Sequence, residues 1–519
     1  MEKVLAVGAD PTTELVIEGE TVMRAFGFLG MCLVLLMGTG SLTSAQTFDL
    51  VIANGRVIDP ETGLDAVRNV GVHQGAIIAI SEDELTGTQV VDARGQIVAP
   101  GFIDIHSHSP SRLGSAIQVL DGVTTQLDLE AGAYPVSAYG EHFAGGTPIN
   151  FGASVAHFAV RTKVIEGRDV PYLFSGMTLM QGGAAFVQEA TPAQIEEMRG
   201  LLFEGLDQGG LGIGILLDYM SVAVNEAELR MIFEVAGSRD VPIAVHVRRG
   251  YAGDPAGLIE IIALAEETGA PVLINHITHS AMHAVPEWLA LIDAANARGA
   301  RITTETLSYA AGGTSISAAV FSRDWQKIFN IEYSDVQWTA TGEWLTEESW
   351  QRYRAEQPTG MVNHHYVKED WIEAALAWSG MMVATDVTPA LDRGVLANPN
   401  GAGTFSRFLG HYVRERKLMS LSEGLARITH YPAQWLESVA PQFARKGRVQ
   451  VGADADLVIF SASDIKAAAT YGDPYEPPVG VSQVIVGGRI VVDGARIIEG
   501  RYPGQRLLGQ ARTVEDSPE

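Results

Sequence analysis

The chain has 519 residues, of which 46% are hydrophobic and 19% are charged, and its formal net charge is −26. This composition is typical of globular proteins and excludes a disordered or fibrous chain. The strong negative charge argues against binding to nucleic acid and to anionic membrane surfaces, because both are bound through basic patches. We therefore expect neither as a partner.

The N-terminal region has the pattern of a secretory signal. An apolar run at residues 25–37 follows Arg24 and precedes small residues up to Ala45, which predicts cleavage after Ala45. The segment before Met23 is then an upstream extension. The run is short for a membrane span, and an uncleaved anchor is the alternative. The single cysteine, Cys32, lies in this run. We therefore expect a disulfide-free mature protein that is periplasmic or secreted and keeps no stable membrane contact.

Both ends of the chain are rich in short strands, whereas the middle alternates strands and helices. The ends predict one small β-sandwich built from both termini, with a hairpin at Asn54-Gly55-Arg56. The middle predicts a (β/α)8 TIM-type barrel of the α/β class. The predicted barrel strands lie near residues 102–108, 123–129, 149–153, 212–216, 242–246, 271–276, 301–305 and 381–386. The predicted domains are 1–45 (extension and signal), 46–99 and 447–505 (β domain), 100–446 (barrel) and 506–519 (tail).

A long connection at about residues 310–380, between the seventh and eighth predicted strands, is rich in tryptophan. Connections of this length in compact domains are usually functional, so it predicts a lid over the pocket of the barrel. A structural insertion whose tryptophans pack into their own small core is the alternative.

Side chains that bind metals stand at the ends of several predicted barrel strands, where barrel enzymes place their sites. His106 and His108 close the first strand, and residues i and i+2 of a strand project to the same side. Three later strands end in His246, His276 and Asp386. One such histidine alone is more typical of a hydrogen-bonded core group. Together, the set indicates a site for zinc or a similar divalent ion.

A second metal ion would need a bridging anion, and the second predicted strand ends with Glu130. Glu130 is therefore the candidate bridging ligand, and a surface carboxylate at the start of a loop is the alternative. We expect one or two divalent ions. The candidate ligands are His106, His108, Glu130, His246, His276 and Asp386.

Longer motifs accompany these residues from about Phe48 to Arg506. They include Pro100-Gly-Phe-Ile-Asp-Ile-His-Ser-His108, Ala384-Thr-Asp386, Gly403-Thr-Phe-Ser-Arg-Phe-Leu-Gly-His-Tyr-Val-Arg-Glu415 and Gly447-Arg-Val-Gln-Val-Gly-Ala-Asp-Ala-Asp-Leu457. With these motifs the chain resembles the amidohydrolase superfamily and, within it, the N-acyl-D-amino-acid deacylases (D-aminoacylases). The last two motifs are the most specific to this subgroup. The fold that the resemblance implies is the same barrel with a β domain.

The resemblance implies that the first histidine pair holds one metal position and the second pair the other, with Asp386 as catalytic acid/base and ligand. The family usually carries a metal-binding cysteine within Asn-Cys-Gly. Here the corresponding residues are Glu130-Ala131-Gly132, so Glu130 is the candidate replacement. Many superfamily members bridge the metals with a carbamylated lysine instead, which makes Lys163 the second candidate.

Substrate recognition also departs from the family. The lysine that relatives often carry two residues after the fourth histidine is Thr278 here. The remaining candidates for binding a substrate carboxylate are Arg248, Arg249, Tyr219 and Tyr309. Arg248 follows His246 by two residues, so on a continuing strand it would face the same pocket.

These residues and the resemblance predict a metal-dependent hydrolase of N-acyl-D-amino acids that releases a carboxylate and a free D-amino acid. Asp386 would take a proton from an activated water and pass it to the leaving nitrogen. The D configuration is implied by the resemblance alone. The nearer alternative is another amidohydrolase, such as a dipeptidase or a cyclic-amide hydrolase. The more distant one is a non-catalytic barrel scaffold.

Two further histidine segments remain. His157 and Arg161 resemble a family segment after the third strand, and we interpret them as structural or as support for the site. The pair His364-His365 lies in the predicted lid, where we expect it to be exposed, with a substrate contact as the alternative.

Overall fold

The computed structural model describes residues Thr47–Gln510, apart from residues 144, 174–182, 391–392 and 394–396. The predicted signal and its cleavage point lie outside the described residues. Within the described part of the chain, no helix combines the length and the apolarity needed to cross a membrane.

The strands alternate with helices through the middle of the chain and cluster at its two ends. The strands are β1 (Phe48–Asp59), β2 (Leu64–His73), β3 (Ala76–Ser81), β4 (Gly87–Asp92), β5 (Ile97–Pro100), β6 (Phe102–Asp104), β7 (Val123–Ala133), β8 (Asn150–Ala156), β9 (Ile213–Leu216), β10 (Ile243–His246), β11 (Val272–Ile274), β12 (Ile302–Thr306), β13 (Gly312–Ser315), β14 (Val336–Trp338), β15 (Glu343–Trp344), β16 (Met361–His364), β17 (Met382–Val383), β18 (Leu457–Phe460), β19 (Val481–Val486), β20 (Arg489–Asp493) and β21 (Arg496–Ile497).

The α-helices are α1 (Arg112–Leu120), α2 (His157–Glu166), α3 (Ala184–Val187), α4 (Pro192–Asp207), α5 (Glu226–Arg239), α6 (Ala256–Thr268), α7 (Ile277–Ala281), α8 (Val285–Ala297), α9 (Trp325–Phe329), α10 (Glu347–Glu356), α11 (Glu369–Leu376), α12 (Asn400–Arg407), α13 (Leu421–Ile428) and α14 (His430–Leu436). Several begin at the side-chain caps expected of Ser, Thr and Asn, for example Ser111 before α1 and Asn225 before α5.

The predicted barrel is confirmed. Eight parallel strands form one sheet in the order β17-β12-β11-β10-β9-β8-β7-β6, so neighbours in space are also successive strands of the barrel. The two edges meet through residues just beyond β6 and β17, because Ser107 pairs with Val387 and the Asp386 N–H donates to the His106 carbonyl at 2.8 Å. The barrel therefore closes at the residues that carry the candidate ligands.

Asp104 reinforces this closure from the end of β6. Its buried carboxylate accepts hydrogen bonds from the Thr385 hydroxyl at 2.6 Å and from the Thr385 N–H at 3.1 Å. Burial raises the pKa of Asp104 to about 6, while these hydrogen bonds act in the opposite direction. The carboxylate thus connects the first and last barrel strands directly below the site.

The strands of both termini form one nine-stranded sheet, as expected for a β domain built from the two ends. The sheet order is β21-β20-β19-β18-β5-β1-β2-β3, and β4 pairs with β1 off this path. A separate apolar cluster, with Leu50 and Ile52 from the N-terminal strands and Leu457 and Ile485 from the C-terminal ones, fills this domain. The two ends of the chain therefore share one core.

The predicted hairpin at Asn54-Gly55-Arg56 is wrong, because β1 continues through it. The register against β2 shifts between Ile52 and Gly55, and Asn54 has φ of +62°. An asparagine in the left-handed region fits a β-bulge as well as a turn. The chain reverses later, at residues 60–63, before β2.

The connection at 310–380 has features of both interpretations. Strands β13 to β16 form a small antiparallel sheet, and Trp325 stacks on Trp350 with ring centroids 4.8 Å apart. Residues of the same segment, among them Gly312, Thr314 and His364, also line the main cavity of the barrel. The insertion thus has its own aromatic packing and forms a wall of the cavity.

Candidate metal centre and active site

The candidate ligands converge at the carboxyl ends of the barrel strands. Glu130 lies on β7 between two histidine pairs. Its Oε2 is 3.3 Å from the Nε2 atoms of both His106 and His108. Its Oε1 is 2.9 Å from His276 Nε2 and 3.2 Å from His246 Nδ1. One carboxylate thus contacts all four imidazoles.

Asp386 lies beside the first histidine pair, His106 and His108. Its Oδ1 is 3.5 Å from the Nε2 atoms of His106 and His108. Its side chain is 20% exposed, whereas those of Glu130 and His106 are buried. Asp386 is therefore a ligand candidate that also faces the open cavity.

The donor set fits divalent metal ions better than it fits hydrogen bonds. The two nitrogens of each histidine pair face each other at 3.1 Å, and Glu130 Oε1 accepts no hydrogen bond despite its short contacts. A tetrahedral ion with bonds of about 2.0–2.1 Å places its ligand atoms about 3.3 Å apart, which matches these separations. The ligand atoms form two groups, one at His106 and His108 and one at His246 and His276, that share Glu130.

Carboxylates behind the histidines orient two of the rings. Glu305, at the end of β12, accepts from His106 Nδ1 at 2.8 Å and from the His276 N–H at 2.6 Å. Asp128 lies 3.2 Å from His108 Nδ1. A hydrogen bond at Nδ1 leaves the Nε2 lone pair directed at the metal position, which is the usual arrangement behind metal-binding histidines.

Two candidate ligands occupy strained backbone positions. His276 has φ of +35° and Asp386 has φ of +46°, a region that non-glycine residues adopt at a cost of about 1–3 kcal/mol. Each follows the last residues of a barrel strand, at the turn out of β11 or β17. The surrounding contacts hold these turns so that both side chains enter the site.

The groups of the cluster titrate together. Burial lowers the pKa of His106 and His108, but the neighbouring carboxylates outweigh burial and raise it, so metal binding would displace their protons. Burial raises the pKa of Asp386, but the charge of His106 and a hydrogen bond from His108 outweigh burial and keep it below the usual range. Burial lowers the pKa of His246 to about 4, with help from the charge of Arg249. Asp386 is therefore a carboxylate and His246 a neutral imidazole at neutral pH, and these are the forms that bind metals.

The alternative bridging residue lies elsewhere. The Lys163 amine pairs with Asp169 at 2.7 Å, and its side chain is 43% exposed. The lysine sits near the end of α2, a helix that packs outside the strands, so it does not reach the histidine cluster. Among the two candidates, the structure brings only Glu130 to the metal positions.

Two of the four predicted candidates for substrate binding do not line the cavity. Arg248 pairs with Glu260 at 2.9 Å and donates to the Val224 carbonyl at 2.6 Å, because β10 ends at His246 and the alternation of a strand no longer applies. The Tyr309 hydroxyl donates to the Ala469 carbonyl at 3.1 Å, away from the ligands. These two assignments were wrong.

Tyr219 does line the cavity. Its ring lies 5.1 Å from the His246 ring, and its hydroxyl donates to Thr314 Oγ1 at 3.2 Å. Thr278 turns inward to Thr306, with their hydroxyl oxygens 3.1 Å apart, and does not line the cavity.

Several cavity residues were missed or misjudged from the sequence. His279, which was not singled out from the sequence, lines the cavity beside the candidate ligands, and so does His364, which is buried rather than exposed as expected. Arg249, a predicted candidate for binding the substrate carboxylate, also lines the cavity. Glu305 was also missed, although it satisfies the criterion that located the ligands, a polar side chain at the end of a barrel strand. The residues after β11 and the inserted segment carried no comparable signal.

His157 and Arg161 form a separate buried cluster. His157 Nε2 is 2.8 Å from Glu228 Oε1, and the Arg161 guanidinium donates to the other oxygen of Glu228 and to the Ala185 carbonyl. None of these three side chains lines the main cavity. Their role is to join α2 to α5.

A closed parallel barrel with a carboxylate-centred histidine cluster at its strand ends is the architecture of a metal-dependent barrel enzyme. The family model described as "Amidohydrolase family" matches residues 97–491. The chain belongs to the amidohydrolase family.

Similar proteins extend over nearly the whole chain. D-aminoacylase and N-acyl-D-glutamate deacylase from Alcaligenes xylosoxydans xylosoxydans are each 27% identical, over 91% of this chain and 100% and 99% of their own lengths. A solved N-acyl-D-glutamate deacylase from Bordetella bronchiseptica, complexed with zinc and a phosphonate inhibitor that mimics the tetrahedral intermediate, superimposes with a TM-score of 0.75. It is 26% identical and covers 89% of this chain and 100% of its own.

Proposed function

We propose that the chain is a zinc-dependent amidohydrolase that cleaves the amide bond of N-acyl-D-amino acids and releases a carboxylate and a free D-amino acid. The observation that carries the proposal is the contact of one buried carboxylate, Glu130, with two histidine pairs, next to the cavity-facing Asp386. The similarity to two deacylases of N-acyl-D-amino acids over about nine-tenths of the chain supports the substrate class and the D configuration.

Zinc bound in this site would lower the pKa of a water molecule towards about 7 and polarise the scissile carbonyl. The four histidines and Glu130 would hold one or two ions. Glu305 and Asp128 would keep the rings of His106 and His108 in the orientation that metal binding requires.

Asp386 has the position and charge of the acid/base group. Its carboxylate is ionised at neutral pH and faces the cavity, so it can accept a proton from the attacking water. The same oxygen can then donate that proton to the leaving nitrogen. The strained turn at Asp386 holds the carboxylate at this place, because its N–H is tied to the His106 carbonyl.

The remaining cavity wall would enclose the acyl amino acid. Three of its residues are Tyr219, which follows β9, and Thr314 and His364, which belong to the insertion. Burial lowers the pKa of His364 to about 3, so it presents a neutral ring. The insertion would thus shield the bound amide from water with uncharged side chains. The carboxylates of the site lie next to the metal positions instead.

A substrate panel tests this proposal. N-acetyl-D- and N-acetyl-L-amino acids, dipeptides and hydantoins should be assayed with protein that has been chelated and with the same protein after zinc is restored. We expect zinc-dependent release of D-amino acids and slower turnover of the L-forms. Faster turnover of dipeptides or hydantoins would favour another amidohydrolase activity, and an equal rate in chelated protein would contradict the metal site.

We also propose that the mature protein is periplasmic or secreted. The support is the apolar run at residues 25–37 between Arg24 and the small residues up to Ala45. Expression of the full chain in a bacterial host, followed by N-terminal sequencing of the product in the periplasm, should find a start at Gln46. An intact N-terminus in the cytoplasm would contradict this proposal.

A further inference from the structure

The cavity beside the metal positions contains one cationic side chain among its described lining residues, Arg249. The chain as a whole carries a formal charge of −26, and the cavity also contains the carboxylates Glu130 and Asp386. The pairing of this arginine therefore decides what it can bind, because buried charges are normally paired closely.

The backbone of Arg249 is clamped on both sides. Its N–H donates to Asp218 Oδ1 at 2.9 Å, and its carbonyl accepts from Arg323 Nη1 at 3.0 Å. Arg323 also donates to Asp218 Oδ1 at 2.7 Å. These bonds fix the position from which the Arg249 side chain departs.

The guanidinium itself is only loosely paired. Its nearest carboxylate oxygen, Asp218 Oδ2, is 3.7 Å away, and the shorter ion pair of Asp218 is with Arg323. The Arg249 side chain is 7% exposed, and its buried Nε makes no hydrogen bond. Two arginines thus share one aspartate, which leaves one positive charge in excess at the cavity wall.

The remaining neighbours of Arg249 support the group without neutralising it. The Phe329 ring lies 5.6 Å from the guanidinium carbon, a contact that holds a cation without satisfying its N–H groups. Burial opposes the charge of Arg249, but nearby Tyr366 and Asp218 outweigh it and raise the pKa of the guanidinium. Arg249 therefore stays charged, rigid and short of hydrogen-bond acceptors.

From this geometry we infer that Arg249 binds the carboxylate of the substrate, so that the enzyme prefers N-acyl amino acids with a free carboxylate to their amides. A guanidinium presents a planar set of donors that matches a carboxylate, and its hydrogen bonds to a charged acceptor are strong. This inference rests on the proposed function. It extends that function by naming the residue and the chemical group that select the substrate.

The carboxylate could be the one on the α-carbon or one on an acidic side chain. The two sources are distinguished with N-acetyl-D-methionine, which has only the first, and N-acetyl-D-glutamate, which has both. N-acetyl-D-methioninamide, which has neither, is the reference substrate.

The test compares zinc-loaded wild type with Arg249→Gln and Arg249→Lys. Arg298→Gln is the matched control, because it removes the same charge from an exposed residue that pairs with Glu266 outside the cavity lining. We expect Arg249→Gln to raise KM for the carboxylate substrates by about 10- to 100-fold, with a smaller change in kcat. Arg249→Lys should recover part of the loss, and the amide substrate should change by less than about 3-fold.

An equal loss on both carboxylate substrates would assign Arg249 to the α-carboxylate, and a loss confined to the glutamate substrate would assign it to the side chain. An unchanged KM would overturn the inference. So would an equal loss on the amide substrate, because that result indicates a structural role. Zinc content and thermal melting of each variant show whether the fold and the metal site are intact.

The two proposals can fail separately. If wild type hydrolyses none of the three compounds, the proposed function fails. Calorimetric titration of wild type and Arg249→Gln with N-acetyl-D-methionine and its amide then decides the inference. Weaker binding of only the carboxylate form to the variant would support it, and equal binding to both proteins would overturn it.

Discussion

Two buried carboxylates in this protein contact a histidine at the same distance but belong to different kinds of cluster. Glu305 lies 2.8 Å from His106 in the metal centre, and Glu228 lies 2.8 Å from His157 between α2 and α5. All four side chains are fully buried. The histidine–carboxylate pair alone therefore does not identify a metal site.

The difference lies in what else each histidine–carboxylate pair contacts. At His157 the same carboxylate also receives the Arg161 guanidinium, so donors face an acceptor. At His106 the second ring nitrogen faces another imidazole nitrogen and the oxygens of Glu130 and Asp386. Electron-pair donors that converge on each other need a cation, whereas donors that face acceptors make a stable ion pair.

The largest effect should follow from removal of the shared ligand. Glu130→Ala should lose bound zinc and lower kcat/KM by about 10⁴-fold, because both metal positions lose a ligand and with it the stabilisation of the transition state. Lys163→Ala is the control and should keep its zinc and activity. Full zinc content and activity in Glu130→Ala would show that Glu130 does not bridge.

A smaller loss is expected at the acid/base group. Asp386→Asn should lower kcat by about 10³-fold, within the usual range for general acid–base catalysis. It should still bind zinc at the group formed by Glu130, His246 and His276, because that group does not need Asp386 as a ligand. Metal analysis alongside kinetics separates the two roles, and wild-type kcat in this variant would exclude Asp386 as the proton carrier.

A matched pair of variants tests the difference between the two histidine–carboxylate pairs. Glu305→Gln should weaken zinc affinity by about 10- to 100-fold, because the His106 ring loses its orienting carboxylate. Glu228→Gln makes the same change at the other histidine and should leave zinc affinity unchanged. Competition with a chelator measures both, and an equal effect of the two substitutions would contradict the distinction.

Glu228→Gln should instead reduce stability. Arg161 would remain buried without its counter-ion, which costs about 3–5 kcal/mol of the free energy of unfolding. Denaturant unfolding measures this loss, and the zinc-loaded variant that remains folded should have the kcat of wild type. A loss of kcat in folded, zinc-loaded protein would place this cluster in the active site.

The barrel and the convergence of the candidate ligands could be predicted from the sequence, because both depend on local rules. Apolar runs that end in a polar side chain mark barrel strands, and a closed barrel brings their ends together, so His246 and Asp386 could be placed without knowing any loop. Even so, the first strand ends at Asp104 rather than 108, because the chain leaves the strand to close the barrel.

The cavity wall could not be predicted in the same way. Strand alternation favoured Arg248, but the chain turns after His246, and Arg249 enters the cavity instead. His364 depends on how the inserted sheet folds against the barrel. Asn54 shows the same limit in the β domain, since a turn and a bulge use the same left-handed residue.

Anomalous diffraction at the zinc edge, from crystals of the zinc-loaded protein, tests the central claim most directly. We expect a peak about 2.0–2.2 Å from a Glu130 oxygen and from the nitrogens of at least one histidine pair. A crystal with no such peak, or with zinc bound only elsewhere on the chain, would contradict it.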